Sequence, residues 1–354
     1  MVRIKEADAW WALPTGPRNS IADVQGVRVG HATLIEGRTR TGVTAILPHS
    51  GNLFTDKVPA GSAVINGFGK SVGLMQQAEL GQIETPILLT NTFGVPACAT
   101  ALIRAAIKAN PTIGRDAATV NPLVFECNDG TVNDIQTLAV KEETAAQAIA
   151  AASEQFGQGT VGAGTGMRTF AMAGGVGTAS RVVTLSSGTP YNVGVFVLSN
   201  FGQSGEMRIF GQRLDPVPLQ PAPPPVPERG SIIIVIATDA PFETRQLARL
   251  ARRGAPALGR LGSFVGHGSG DVALAFTTAY TVAGADEEQS IVPRLSETVI
   301  NPFFHAAVEA TEEAILNALL HAESHTGYDG GRLPTLRERM DAAGMNFAFE
   351  NIDE

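Results

Sequence analysis

The chain has 354 residues, 44% of them hydrophobic, and a formal charge of −8 at neutral pH. That is ample for a packed core in one large domain or two smaller ones. The acidic balance, with no Lys/Arg cluster, argues against a nucleic-acid partner and against an anionic membrane surface, since both select a basic face. The opening MVRIKEADAWWALPTG places Lys5, Glu6 and Asp8 where a signal peptide would need an apolar stretch, and no run approaches the roughly 18 apolar residues of a membrane span. A cytoplasmic location is the expectation. The two cysteines, Cys98 and Cys127, have no second cysteine or histidine at metal-ligand spacing, so buried thiols, no metal and no cofactor are expected.

In chain order, residues 19–30 (NSIADVQGVRVG) open with turn residues and alternate into a short strand ending at Gly30. Residues 41–47 form a second strand, and SAVINGFGK reads as strand then turn. Residues 72–80 have helical spacing that Gly81 stops. PILLTNT (86–92) is a buried strand, followed by an alanine-rich helix over 98–109 that Asn110 and Pro111 close. Residues 123–126 make another strand that runs into CNDGTVND, so Glu126, Asn128 and Asp129 collect at a strand end. A polar turn accounts for Asp129 and Gly130; it does not need a glutamate directly after an apolar strand.

Alanine and glutamate predict a helix over 142–156. The glycine-dense stretch 157–177 lacks both GxxxxGK[ST] and GxGxxG, so close packing around small side chains is favoured over a phosphate cradle. Residues 191–199 alternate as a strand ending at Asn200, whose amide either caps the turn or stabilises an oxyanion. Residues 221–230 (PAPPPVPERG) cannot enter a sheet or helix, because proline lacks an N–H and fixes φ. The segment 215–230 is therefore read as an exposed connector. Directly after Gly230, Ser231 opens the β-branched run Ile232–Ile236, a strand buried on both faces. Residues 241–253 form an amphipathic helix, GSGDVALAF sets Ser269 and Asp271 on one face of a strand start, and residues 301–321 form a last helix. Without a regular βαβ period the expected class is α+β, with amphipathic helices as outer layers over a buried pair of sheets.

Several ordered motifs resemble one family over nearly the whole length: NSIADVQGVRVGH, ELGQIETPILLTNT, VFECNDGTVNDI, GTVGAGTGM, LSNFGQ, GSIIIVIATDAP and GHGSGDVALAF, weakening after about Ile300. The chain resembles the β-peptidyl aminopeptidases and the related L-aminopeptidase/D-esterase/amidases, self-processing serine hydrolases of peptidase family S58. The resemblance implies a single domain with a four-layer αββα sandwich, like the N-terminal-nucleophile hydrolases but differently connected. It implies autocleavage between Gly230 and Ser231 into a 1–230 α chain and a 231–354 β chain. These stay together as α/β heterodimers, assembled as a tetramer of heterodimers.

Residue by residue, Ser231 resembles the nucleophile and Asn200 the oxyanion-hole residue. Ser269 and Asp271 resemble the pair that orients or relays protons to Ser231, although some relatives carry glutamate in place of Asp271. Glu126 resembles the residue that binds the substrate's free ammonium, and the substrate implied is a short peptide or amide with a free amino terminus. Asn128 resembles the asparagine of the β-peptidyl members, where the D-esterase member has tyrosine. The alternatives are an α-amino L-aminopeptidase/D-esterase and, outside enzymes, an uncleaved binding protein in which Ser231 is only a strand start.

Overall fold

The computed structural model describes residues 2–5, 7–215, 230–283 and 291–351. The expected connector therefore lies outside the described residues except at its ends, Asp215 and Gly230. In chain order the main elements are strands β1 (Arg28–Glu36), β2 (Thr39–Leu47), β3 (Asp56–Gly67) and β4 (Ile87–Asn91), helix α1 (Val95–Ala109), strand β5 (Leu123–Cys127) and helix α2 (Glu142–Ala150). There follow strands β6 (Gly175–Thr184), β7 (Pro190–Asn200) and β8 (Gly230–Thr238), helices α3 (Thr244–Ala251) and α4 (Gly254–Arg260), strand β9 (Ser269–Thr277) and helix α5 (Asn301–Leu320).

Two sheets carry the fold. The larger has the order β6-β7-β8-β9-β3, extended at β3 by the short strands Gln82–Ile83 and Val282–Ala283. The smaller has the order β1-β2-β4-β5. Each contains one parallel pair, β8 with β9 and β4 with β5, and the parallel crossovers run through α3–α4 and α1.

Side-chain alternation divides the core into three slabs. Ile233, Val235 and Ala237 of β8, with Val272, Leu274 and Phe276 of β9, face Val29, Ile46, Leu89 and Phe125 of the smaller sheet. Ile232, Ile234 and Ile236, with Ala273 and Ala275, face the opposite way onto α3, α4 and α5. Val43, Leu88 and Val124 on the outer face of the smaller sheet pack under α1 and α2. Helix, sheet, sheet, helix is the four-layer α+β sandwich that the resemblance implied. Small residues let the outer helices close on the sheets: a Cβ at Gly30 would stand 2.2 Å from Ala148 O of α2, and one at Gly177 2.0 Å from Ala314 O of α5.

Several expectations shift. The first strand begins at Arg28, near where sequence pattern ends it, because residues 21–23 form a 3₁₀ turn capped by Ser20. Helix α2 stops at Ala150, six residues early, because Ser153 exchanges backbone hydrogen bonds with Val29 at the edge of β1. Helix α5 is not amphipathic in its surroundings. Glu309, Glu312 and Glu313 are buried along with its apolar residues, paired with Arg181 of β6 and with Arg260.

Candidate active site

Ser231 is the second residue of β8 and is buried. Continuing the alternation of β8 outward from Ile233 puts its side chain on the face between the two sheets. Its hydroxyl donates to Gly230 O at 2.5 Å, and the Gly270 N–H donates to its Oγ at 3.3 Å. Gly270 is the residue in parallel register with Ser231, and a Cβ there would stand 3.0 Å from Oγ and 2.7 Å from Phe68 O. The preceding Gly230 is equally confined, since a Cβ would meet Asn200 O at 2.7 Å and Phe201 Cα at 2.9 Å.

Asn200 pairs with Ser231 across the β7–β8 ladder, and the alternation of β7 through Phe196 and Leu198 puts both side chains on the inter-sheet face. Its carboxamide is held at both ends: Nδ2 donates to Asn128 O at 3.0 Å, and Oδ1 accepts from the Arg168 N–H at 2.8 Å. An amide carries two N–H donors, so one holds the loop while the second is directed by it.

Glu126 is the penultimate residue of β5 and is buried. Oε1 accepts the Lys70 N–H at 2.8 Å and Oε2 accepts the Thr92 hydroxyl. Gly69 links it to β9, the strand beside the nucleophile: a Cβ on Gly69 would lie 3.6 Å from Glu126 Oε1 and 3.9 Å from Gly270 Cα. Asn128 is exposed, and its Oδ1 accepts the Gly130 N–H at 2.9 Å, so its side chain forms the expected polar turn while its carbonyl anchors Asn200.

Ser269 donates to Asp271 Oδ1 at 2.7 Å, as the i, i+2 spacing predicts. Both residues are buried, and Ser269 is in register with Gly230. On β9 the even positions face the smaller sheet, so the odd positions 269 and 271 face the helices. The pair therefore flanks the Gly230–Ser231 peptide from one side of the sheet, while the Ser231 hydroxyl lies on the other.

Beside these groups Asp129 is buried and accepts from Asn133 Nδ2 at 3.0 Å; burial raises its pKa from 3.8 to about 6 against hydrogen bonds from Thr41, Asn133 and Asn91. Burial also pushes the Cys98 thiol to about 12 and the Cys127 thiol well above its ordinary value, which leaves both as unreactive core groups. Among the described residues no group of three or more His, Cys, Asp or Glu is arranged to hold a metal ion, and no helix is long and apolar enough to cross a membrane. Sequence reasoning missed Thr92, the Lys70 N–H and the Gly270 N–H. Only Thr92 left a signal, a hydroxyl at the end of a buried strand, as Glu126 lies near the end of its neighbour.

A buried serine at the head of a central strand, paired across the ladder with a carboxamide on the same face of an αββα sandwich, defines a hydrolase of the N-terminal-nucleophile type. The sequence model of peptidase family S58 matches residues 19–333, so the likeness runs past Ile300 into the C-terminal segment. The β-peptidyl aminopeptidase BapA of Sphingosinicella microcystinivorans is 38% identical over 93% of this chain and 88% of its own. A protein of Pyrococcus horikoshii superposes with a TM-score of 0.88 at 44% identity, covering 94% of this chain and 95% of that one. The L-aminopeptidase D-Ala-esterase/amidase of Ochrobactrum anthropi gives 0.85 at 34% identity, covering 94% and 96%; it is described as a prototype for the serine aminopeptidases and a variant of the Ntn hydrolase fold. The chain belongs to peptidase family S58 and is a serine aminopeptidase.

Proposed function

We propose that this aminopeptidase activates itself by cutting between Gly230 and Ser231 and then releases N-terminal β-amino acids, and small L-amino acids, from short peptides and amides. The observation that carries this reading is the contact of Ser231 Oγ with the carbonyl of the bond to be cut, 2.5 Å from Gly230 O. A small rotation about χ1 takes Oγ from that oxygen to the carbonyl carbon. The Oγ–C bond forms as the C–N bond breaks, the hydroxyl proton passes to the nitrogen, and water hydrolyses the ester. Gly230 leaves as a carboxylate, and Ser231 gains a free α-amine. With an ordinary pKa of about 7.7–8.0, that amine is suited to act as general base for its own hydroxyl.

The Ser269–Asp271 pair, on the helix side of the scissile peptide, is disposed to orient that amine rather than to touch the hydroxyl. Ser231 Oγ then attacks the substrate carbonyl, the directed N–H of Asn200 receives the oxyanion, and Glu126 holds the substrate ammonium. The leaving amine takes the proton, and water releases the acyl group. The new chains, 1–230 and 231–354, remain joined by the β7–β8 ladder as a heterodimer, and four heterodimers form the tetrameric assembly. A cytoplasmic location accords with two cysteines kept as buried thiols.

The preference for β-amino acids rests on Asn128 and on the relatedness to BapA. Matched amides test it: β-alanine should be released faster than L-alanine. Equal or reversed rates would assign the chain to the α-amino specificity named for the Ochrobactrum anthropi enzyme.

A further inference from the structure

Asn66 stands at the end of β3, where the register on β9 breaks. Gly67 pairs with Gly270 and Asn66 with Asp271, but Val64 pairs with Val272, which leaves Ile65 as an extra residue. Val58 and Ala60 face the space between the sheets, so unbroken alternation would send residue 66 the same way. One inserted residue turns everything beyond it to the other face. Asn66 thereby comes to the face shared by Asp271, its partner in register, and Ser269.

Its amide is spent on a single loop. Nδ2 lies 3.1 Å from Gly266 O and 3.2 Å from His267 O, and it also donates to Ser269 O. The same Ser269 carbonyl accepts the Phe68 N–H at 3.3 Å, while the Ser269 N–H donates to Gly266 O at 3.0 Å. The backbone on both sides of Ser269 is gathered around one –NH2. No other side chain of similar length suits the position: serine offers one donor, and aspartate would set a carboxylate among three carbonyl oxygens.

We propose that Asn66 is a positioning residue that sets the Ser269 hydroxyl, and through it Asp271, relative to the α-amine of Ser231. The bulge at Ile65 exists in this account to aim it. The proposal rests on the reading above that Ser269 and Asp271 address that amine. Asn66 itself touches no reacting atom, so its effect should appear in the chemical step and not in substrate binding.

The test compares Asn66→Ala, Ser269→Ala and the double variant, with rates on a β-alanine amide normalised to the self-cut fraction measured by intact mass. Asn66→Ala should lower kcat by about 10- to 100-fold with little change in KM, the scale of a misplaced catalytic group. It should also move the acid limb of the kcat/KM pH profile in the same direction as Ser269→Ala. The double variant should be within about twofold of Ser269→Ala, because residues acting through one another do not add. A variant that lowers only Tm while kcat and the acid limb hold overturns the proposal, as does a double variant whose two losses multiply. Failure of the underlying reading looks different: Ser269→Ala itself would then keep the wild-type kcat and acid limb. Should Asn66→Ala not accumulate as folded protein, Asn66→Ser, which keeps one donor, is put through the same comparisons, with an intermediate kcat expected and a wild-type kcat and acid limb contradicting the role.

Discussion

Replacing Glu126 by Gln keeps the length of the side chain but removes the charge proposed to pair with a substrate ammonium. A hydrogen bond to a charged group contributes about 1.5–3 kcal/mol, so KM for amino-terminal substrates should rise by roughly 10- to 100-fold while kcat changes little. An unchanged KM would place the ammonium elsewhere. Asn200→Ala should act on the other parameter, lowering kcat by roughly 10²–10³ as expected of a lost oxyanion donor. It also frees the loop that Asn200 holds through Asn128 O, so KM should rise as well. Asp129 supplies a pH signature. Its pKa rises from 3.8 in the unfolded chain to about 6 in the folded one, so folding favours the neutral acid. Its stabilising contribution is fully present below pH 3.8 and is lost as pH rises through about 6, for a total on the order of 3 kcal/mol. Asp129→Asn should flatten that part of the stability–pH curve in urea titrations, and a curve of unchanged slope would contradict the assignment.

At the level of elements, α5 is held by a buried charge pairing. Arg181 of β6, fully buried, donates from Nε to Glu309 at 3.1 Å and from Nη1 to Glu313 at 2.6 Å. Glu309 also receives the Ala12 N–H at 2.8 Å, and Glu313 receives Asn19 Nδ2 at 2.7 Å, so one cluster ties the N-terminal segment, β6 and α5 together. Arg181→Met leaves two buried carboxylates without their cation and should cost about 3–5 kcal/mol of unfolding free energy in urea. A loss under about 1 kcal/mol would mean that the cluster is solvated in practice. Sequence pattern read the position and length of α5 but not this burial, because a glutamate on a helix reads as solvent-facing until its partner on another element is known. Helix α2 was overdrawn for a similar reason: the local alanine-rich pattern continues, but the β1 edge claims Ser153.

For the whole molecule, the layering follows from alternation in strands that the sequence displays openly, above all Ile232–Ile236 and the run from Val272 to Phe276. The candidate residues Ser231, Glu126, Asn200 and the Ser269–Asp271 pair stand out in the sequence because each lies at or near the end of such a strand. Less visible was which face each one takes, since that depends on register between distant segments, and at β3 on a single extra residue. Asn66 sits in VINGFG, which reads as an ordinary turn. The same registers put the junction Gly230–Ser231 inside the central ladder, between Asn200 on one side and Ser269 and Gly270 on the other. Under the proposed self-processing, cleavage there would create a new amino terminus without releasing either chain, because residues 232–238 stay paired on both sides.

That consequence is read directly by mass. Purified wild-type protein, denatured and weighed intact, should give two masses corresponding to residues 1–230 and 231–354, while Ser231→Ala should give one mass for the uncut chain. A wild-type protein that remains a single full-length chain, indistinguishable in cleavage from Ser231→Ala, would contradict self-activation at Ser231 and with it the use of a free α-amine as base.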